Sequence, residues 1–494
     1  MKEIITKSKF MQARRCPKMV YMELNHPEEA KNKKSTSLGT FFGKEARKML
    51  KSQTTIHNDT PEKMVEYTTA AINKGFHTIA EASFISDDLF CSCDVFRIIN
   101  LEDKIAEIYE VKSTTEYHDN HILDIAFQTY ILEACGWNVQ NAYIITVDSS
   151  YVNEDGEMDI NKVFKKNDVT DKVTSEMLYI PEEIKRVRKI LEGSSAIEPE
   201  TNLGDHCKCG FECPFLDYCV KSLDSDVFNL GSIRFTTKVK LYNNGVKTYD
   251  DIINRADEFK IAESSVIQAK SHLTGDDIVD KEKIKNFLHC FKFPLYFLDF
   301  ESFQMAMPKW KDSAAYQQIP FQYSLHKMNS AGKLTHMEFL GEPDVDPRRA
   351  IALSLCENIK NKGTILAYNS GFEKTRIKEL AALFPDLRKK LLRIAERIED
   401  LMVPFQKRWF YKAAQNGSYS IKAVLPALYP FDPRLDYHKL NIVHNGTEAM
   451  TEYCNLGAYP EEERKLTIEA LLSYCELDTY ALVLVYEYLR AEIL

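Results

Sequence analysis

The 494-residue chain lacks any apolar run approaching the ~18–20 residues that span a bilayer, and its opening segment, MKEIITKSKF, has no apolar core of the kind a secretory leader carries. Membrane insertion and export are therefore not expected, and a cytoplasmic location is. Glycine and proline are sparse, 18 and 17 residues, while Tyr and Phe number 25 and 27. That balance excludes collagen-like, linker-rich and disordered classes. Excess positive charge is absent too. With 64 Lys and Arg against 73 Asp and Glu, the net charge is -9, so no global basic field holds a nucleic acid. The first 50 residues are a local exception, with 12 basic against 5 acidic side chains, and could meet phosphate or simply form a solvated surface.

What is present is a long chain able to fill several cores. At ~100–200 residues per domain, two to four domains are expected. No internal repeat or low-complexity tract marks the boundaries, so they come from changes in pattern. Up to about residue 223, CSCDVFRIIN, KIAEIYEVKST and NAYIITVD read as strands, with a helix over DIAFQTYILEACG before the last. Residues 224–287 lack strand alternation and carry helical spacing, with a turn at Asn243, Asn244 and Gly245, which suggests a small helical connector. In 288–494, LYFLDFES, FQYSLHKM and LTHMEFLG read as three strands, followed by a helix near Ala350 to Ile359, a strand TILAYN and further helices. That order is the order of a ribonuclease H-like α/β layer fold.

Asp94 lies on one strand, and Glu110 and Lys112 lie two apart on the next, so the latter pair shares a face. Two carboxylates can hold Mg²⁺ or Mn²⁺ beside a scissile phosphate, and an ammonium can orient the attacking water or offset developing charge. Apolar neighbours Val95, Ile98, Ile108 and Val111 set these charges against a core, where carboxylates need a compensating cation. Gln128 and Tyr130 sit on the following helix. The run CDVF, EVKST and AFQTY resembles the RecB-like branch of the PD-(D/E)XK nucleases. The resemblance implies a restriction-endonuclease-like domain with Asp94 and Glu110 as metal ligands, Lys112 as a catalytic group and Gln128 as an accessory. Two departures stand out. Where CRISPR-associated members carry a His four residues after a helical Gly, Gly43 follows Gly39 here, with Glu45 as a weak substitute, and the family's Gln-x-x-x-Tyr is only Gln128 with Tyr130.

Of the 12 cysteines, Cys207, Cys209, Cys213 and Cys219 fall in one stretch, HCKCGFECPFLDYC. Clustered reduced thiols suggest metal ligation more than disulfides, and thiolate-only ligation suits Zn²⁺ or an iron-sulfur cluster. Iron-sulfur members of the RecB-like nucleases place one cysteine before the nuclease core and three after it. By that resemblance Cys16, Cys207, Cys213 and Cys219 are expected to hold a [4Fe-4S] cluster, with Cys209 an alternative to Cys207 and Zn²⁺ an alternative to the cluster.

Asp299 and Glu301 are two apart on an apolar strand, and paired carboxylates there repel each other unless they bind cation. Tyr474 and Asp478 are four apart on a late helix, hence on one side of it. The pattern resembles the DEDD exonucleases of the DnaQ-like group, tyrosine subclass, in which acids bind two divalent ions. The resemblance implies Asp299, Glu301 and Asp478 as metal ligands, Tyr474 as the group that positions the nucleophile, and Glu373 or Asp400 as the fourth acid. Trp409, Phe410 and Tyr411 could stack bases or pack in a core. The joint expectation is a metal-dependent nuclease with two centres, the second a 3′ to 5′ exonuclease on single-stranded ends. Its partner is nucleic acid, DNA ahead of RNA with the choice open because 2′-hydroxyl discrimination depends on pocket shape. The rival expectation is a nucleic-acid-binding scaffold whose centres have lost chemistry. In a third, only the second centre cuts.

Overall fold

The computed structural model describes residues 4–31, 37–193, 197–209, 212–231 and 233–493, without the side chains of 37–41 and 438. It is a mixed α/β chain in two compact units, Met1–Asp224 with Met305–Gln317, and Ser225–Gln304 with Gln318–Leu494. Residues 225–287 thus group with the second unit, and 305–317 with the first.

The first unit is built on a seven-stranded sheet. Its strands are β1 (Ile5–Thr6), β2 (Thr54–Thr55), β3 (Thr78–Ser86), β4 (Leu89–Asn100), β5 (Ile105–Val111), β6 (Asn138–Val147) and β7 (Phe164–Asp168). The order is β2-β3-β4-β5-β6-β7, with β1 joined in parallel to β4. Helix α1 (Lys7–Arg15) begins where the Thr6 hydroxyl accepts the Lys9 N–H at 3.3 Å, an N-cap that sets Lys7 in the first turn. β5 and β6 are parallel, which demands a crossover, and α2 (Asp119–Ala134) supplies it. Ten of the residues of α2 are buried, among them Asp124 and Gln128. One face of the sheet packs Ile79, Phe96, Ile108, Phe127 and Ile144; the other packs Phe42, Val95, Tyr109, Ile145 and Met307. Met307 arrives from the 305–317 stretch, whose Ser313–Ala314 pairs with Val152–Asn153.

In the second unit, helices over Phe235–Asn243, Tyr249–Asn254, Glu263–Thr274 and Lys281–His289 precede a five-stranded sheet. Its strands are β8 (Leu295–Phe303), β9 (Ile319–Met328), β10 (Leu334–Leu340), β11 (Thr364–Ala367) and β12 (Ile398–Asp400), in the order β10-β9-β8-β11-β12. β8, β9 and β10 are antiparallel, while β8, β11 and β12 are parallel. Helix α3 (Arg348–Asn358) makes the crossover into β11, and α4 (Gly371–Leu383) follows it. Strand alternation divides β8 cleanly. Tyr296, Leu298 and Phe300 enter a core with Ile351, Leu355, Ile377 and Leu380 of α3 and α4. Phe297, Asp299 and Glu301 take the opposite face, which the long C-terminal helix α5 (Glu461–Glu492) covers, Phe297 and Tyr486 meeting at 5.9 Å.

Phe410 and Tyr411 are fully buried and form a short antiparallel pair with Ile278–Val279, so these two rings pack in a core and do not offer faces to bases. The pair also puts a two-residue strand inside the segment expected to be wholly helical.

Candidate functional site

β8 lies between antiparallel β9 and parallel β11, so its carboxyl end marks the point where the sheet changes direction, a place where open α/β sheets bind ligands. Asp299 and Glu301 sit towards that end. α5 returns Asp478 to them, and one carboxylate oxygen from each of the three lies within 4.8 Å of the others. Glu373, in the first turn of α4, is 3% exposed, and its Oε2 has no hydrogen-bond partner. Its charge bears on both Asp299 and Glu301. Asp400, the other candidate for fourth acid, is occupied otherwise. It accepts backbone N–H groups of Asn369 at 2.9 Å, Ser370 at 3.0 Å and Met402 at 3.0 Å. These bonds shape the turn after β11, where Asn369 adopts a left-handed φ of 64°.

The electrostatics follow from crowding acids in a partly dry place. Burial, then Asp478 and Glu301, push Asp299 well above the carboxylate range. Burial and Asp478 push Glu301 up to about 8, burial pushes Glu373 up to about 8, and burial pushes Asp478 up to about 6. The Lys422 ammonium opposes this build-up. It is held by the His444 carbonyl at 3.2 Å and lies over the Tyr437 and Tyr474 rings at 5.1 and 5.5 Å. One ammonium against four carboxyls leaves a site that divalent cations would balance, and an oxygen-only donor set suits Mg²⁺ or Mn²⁺. The residues present fit such ions.

Sequence pattern missed three neighbours. The Tyr437 hydroxyl donates to Asp478 Oδ1 at 2.6 Å. Lys422 is the second. Gly446, at the start of the helix Gly446–Asn455, lies so close that a Cβ there would stand 3.2 Å from Glu301 Oε2. No spacing rule links these positions to β8, because three separate short helices, Ile421–Leu428, Tyr437–Lys439 and Gly446–Asn455, carry them in. A groove of about 830 Å³ is lined by Phe228, Asn229, Tyr368, Asn369, Asn416 and Tyr419 among others, and by Ser420 and Ile421, next in the chain to Lys422.

In the first unit, the structure brings Asp94, Glu110, Lys112 and Gln128 together. Glu110 is 2% exposed and accepts Lys112 Nζ at 2.6 Å and Gln128 Nε2 at 2.8 Å, while Asp94 accepts the Val111 N–H at 2.7 Å. Two further residues join them. Lys7 Nζ lies 3.1 Å from both Glu110 Oε1 and Asp124 Oδ1, and Asp124 also meets Lys112 at 3.1 Å. Burial alone would raise Glu110, but Lys7 and Lys112 outweigh it and hold the carboxyl below its ordinary range. Asp94, buried and facing Glu110, rises to about 7. Asp124 was legible only as the residue one turn before Gln128 on the same helix face. Glu45 is buried and paired with Lys48 at 2.5 Å, and Tyr130 packs at the edge of the core.

Cys16 falls between α1 and the helix Pro17–Asn25, nearly 200 residues from the other thiols in sequence. Yet Cys16, Cys207, Cys213 and Cys219 all line one small pocket with Arg15, Met19, Met22 and Phe215, and Cys209 is exposed outside it. Burial raises the Cys207 and Cys213 thiols and pushes Cys219 up to about 11. Four thiols on the wall of one pocket are a donor set for a group that takes them as thiolates.

Among the described residues, no helix is long and apolar enough to cross a membrane. Residues 296–420 match the family described as Domain of unknown function (DUF2779), a span that holds Asp299, Glu301, Glu373 and Asp400 but ends before Tyr474 and Asp478. No curated protein and no solved structure matches the chain.

Proposed function

We propose that the chain is a metal-dependent nuclease whose main centre is the acid cluster of the second unit, a DnaQ-like, ribonuclease H-like site cutting single-stranded nucleic acid from its 3′ end. The observation that carries this reading is the convergence of Asp299, Glu301 and Asp478, with the unpartnered oxygen of Glu373 beside them. Two divalent ions bound there would supply charge neutralisation and water activation for phosphodiester hydrolysis. Asp299, Glu301, Glu373 and Asp478 would hold them. Tyr474, one turn before Asp478, would position the water, and Tyr437 fixes the Asp478 carboxylate. Lys422 would offset charge developing on the phosphate. The 830 Å³ groove, with aromatic rings and side-chain amides on its walls, suits the terminal nucleotides.

The first unit, on this reading, is a RecB-like PD-(D/E)XK domain with Asp94 and Glu110 as metal ligands and Lys112 and Gln128 as their support. Cys16, Cys207, Cys213 and Cys219 would hold a [4Fe-4S] cluster, or Zn²⁺, tying the two ends of that domain together. A second reading for this unit alone is that it grips substrate without cutting. The ion pairs of Lys7 and Lys112 with Glu110 and Asp124 favour it, since they balance the acids without a metal.

The test is degradation of an end-labelled oligonucleotide with Mg²⁺ or Mn²⁺. Asp299→Ala should abolish stepwise loss from the 3′ end. If Glu110→Ala leaves all hydrolysis intact, the gripping role holds; binding without cleavage in any metal would overturn the nuclease reading altogether.

A further inference from the structure

His326 on β9 and His336 on β10 are direct cross-strand partners, with ring centroids 4.5 Å apart. Glu476 of α5 reaches them, its Oε1 3.7 Å from His336 Nδ1, and one ligand atom from each of the three lies within 4.8 Å of the others. None of these residues belongs to the acid cluster.

Two hydroxyls hold the rings in place. Thr479 Oγ1, which lies 3.1 Å from the Glu476 carbonyl, is 2.6 Å from Ser324 Oγ and 2.9 Å from His326 Nδ1. Ser324 Oγ is in turn 2.9 Å from His336 Nε2. Each imidazole thus has one nitrogen engaged with a hydroxyl, which leaves Nε2 of His326 and Nδ1 of His336 as the second nitrogens, and Nδ1 of His336 is the one that faces Glu476. Metal-ligating histidines are usually held this way, with the other ring nitrogen bonded to an oxygen that orients the ring.

We infer that His326, His336 and Glu476 form a transition-metal site, separate from the oxygen-only acid cluster, that takes a Zn²⁺-class ion. Two imidazoles and one carboxylate are a Zn²⁺ donor set and rank Co²⁺, Ni²⁺ and Zn²⁺ above Mg²⁺. Bond lengths near 2.0–2.2 Å require the ligand atoms to close by about 1 Å, a movement open to Glu476, whose side chain is 52% exposed. The ion would pin α5 to the β9–β10 hairpin two residues before Asp478, and Ser324, one of the orienting hydroxyls, is the cross-strand partner of Asp299.

The test is equilibrium dialysis of the full chain against Co²⁺ with Mg²⁺ in excess, read by elemental analysis and by the visible bands of cobalt bound to nitrogen and oxygen. One equivalent with those bands is expected in a chain whose four pocket cysteines, Cys16, Cys207, Cys213 and Cys219, are replaced by serine so that no thiol takes cobalt, and it should be unchanged when Asp299→Asn and Asp478→Asn are added. It should be lost in His336→Gln and weakened at least tenfold in Glu476→Gln, both at partly exposed positions that leave the core intact. If His336→Gln binds as much Co²⁺ as the parent, or if the equivalent disappears only with Asp299 and Asp478, the site is refuted. Because the readout is binding, it is independent of whether the acid cluster hydrolyses anything.

Discussion

Lys7 and Glu110, 103 positions apart in the chain, meet at 3.1 Å in the first unit, and the same ammonium reaches Asp124 at an equal distance. The N-cap at Thr6 and the pairing of β1 with β4 put it there. Lys7 therefore stands where a cation would offset Glu110. Its removal should leave the acids undercompensated. Loss of one partner from a buried ion pair costs about 3–5 kcal/mol, but Lys112 remains, so about 2 kcal/mol is expected for Lys7→Met in the absence of metal. Denaturant melts with EDTA and with Mn²⁺ check this: Mn²⁺ should restore more stability to the variant than it adds to the parent.

The acid cluster predicts an unusual pH dependence. Asp299, Glu301, Glu373 and Asp478 all have native values raised above their unfolded ones. Between about pH 4 and 8 the native state then holds protons that the unfolded chain has released, and stability falls as pH rises. The stabilisation is complete below about pH 4 and is lost as pH passes through about 6 to 8. Metal-free protein should melt at lower temperature at pH 8 than at pH 5, by a margin worth on the order of a few kcal/mol given ~1.4 kcal/mol per pH unit for each group. Excess Mg²⁺ should remove the slope, and Asp299→Asn with Asp478→Asn should flatten it.

Tyr437→Phe deletes the 2.6 Å bond to Asp478. A hydrogen bond to a charged group contributes about 1.5–3 kcal/mol, and without it Asp478 should be harder to ionise. The expected outcome is a weaker Mn²⁺ affinity, by roughly tenfold, measured by calorimetric titration, with the fold intact by circular dichroism.

For the thiol pocket, anaerobically purified protein is expected to be brown with four iron atoms, and Cys16→Ser should bleach it. Cys209→Ser should leave the colour unchanged, since Cys209 lies outside the pocket. Colourless protein with one zinc would replace the cluster by Zn²⁺.

The strands that carry acids were legible because alternation places a carboxylate on a known face: Asp299 with Glu301 on β8, and Glu110 with Lys112 on β5. Tyr474 and Asp478 were legible from helical spacing. The groups that complete each centre were not. Lys7 reaches Glu110 through a two-residue strand too short to show a pattern, and Tyr437, Lys422 and Gly446 come from short helices whose placement depends on tertiary packing. His326 and His336 alternate along strands as ordinary residues do; only the β9–β10 register makes them partners. Asp400 matched a sequence pattern, yet its oxygens are taken by three backbone N–H groups, a use that residue type alone does not reveal.

The most direct measurement is Mn²⁺ binding and 3′-end hydrolysis followed together on the parent, Asp299→Ala and Asp478→Ala. Both variants should lose metal at the second unit and, with it, at least a thousandfold in rate on a single-stranded oligonucleotide. Retention of the parent's hydrolysis by either variant would contradict the account.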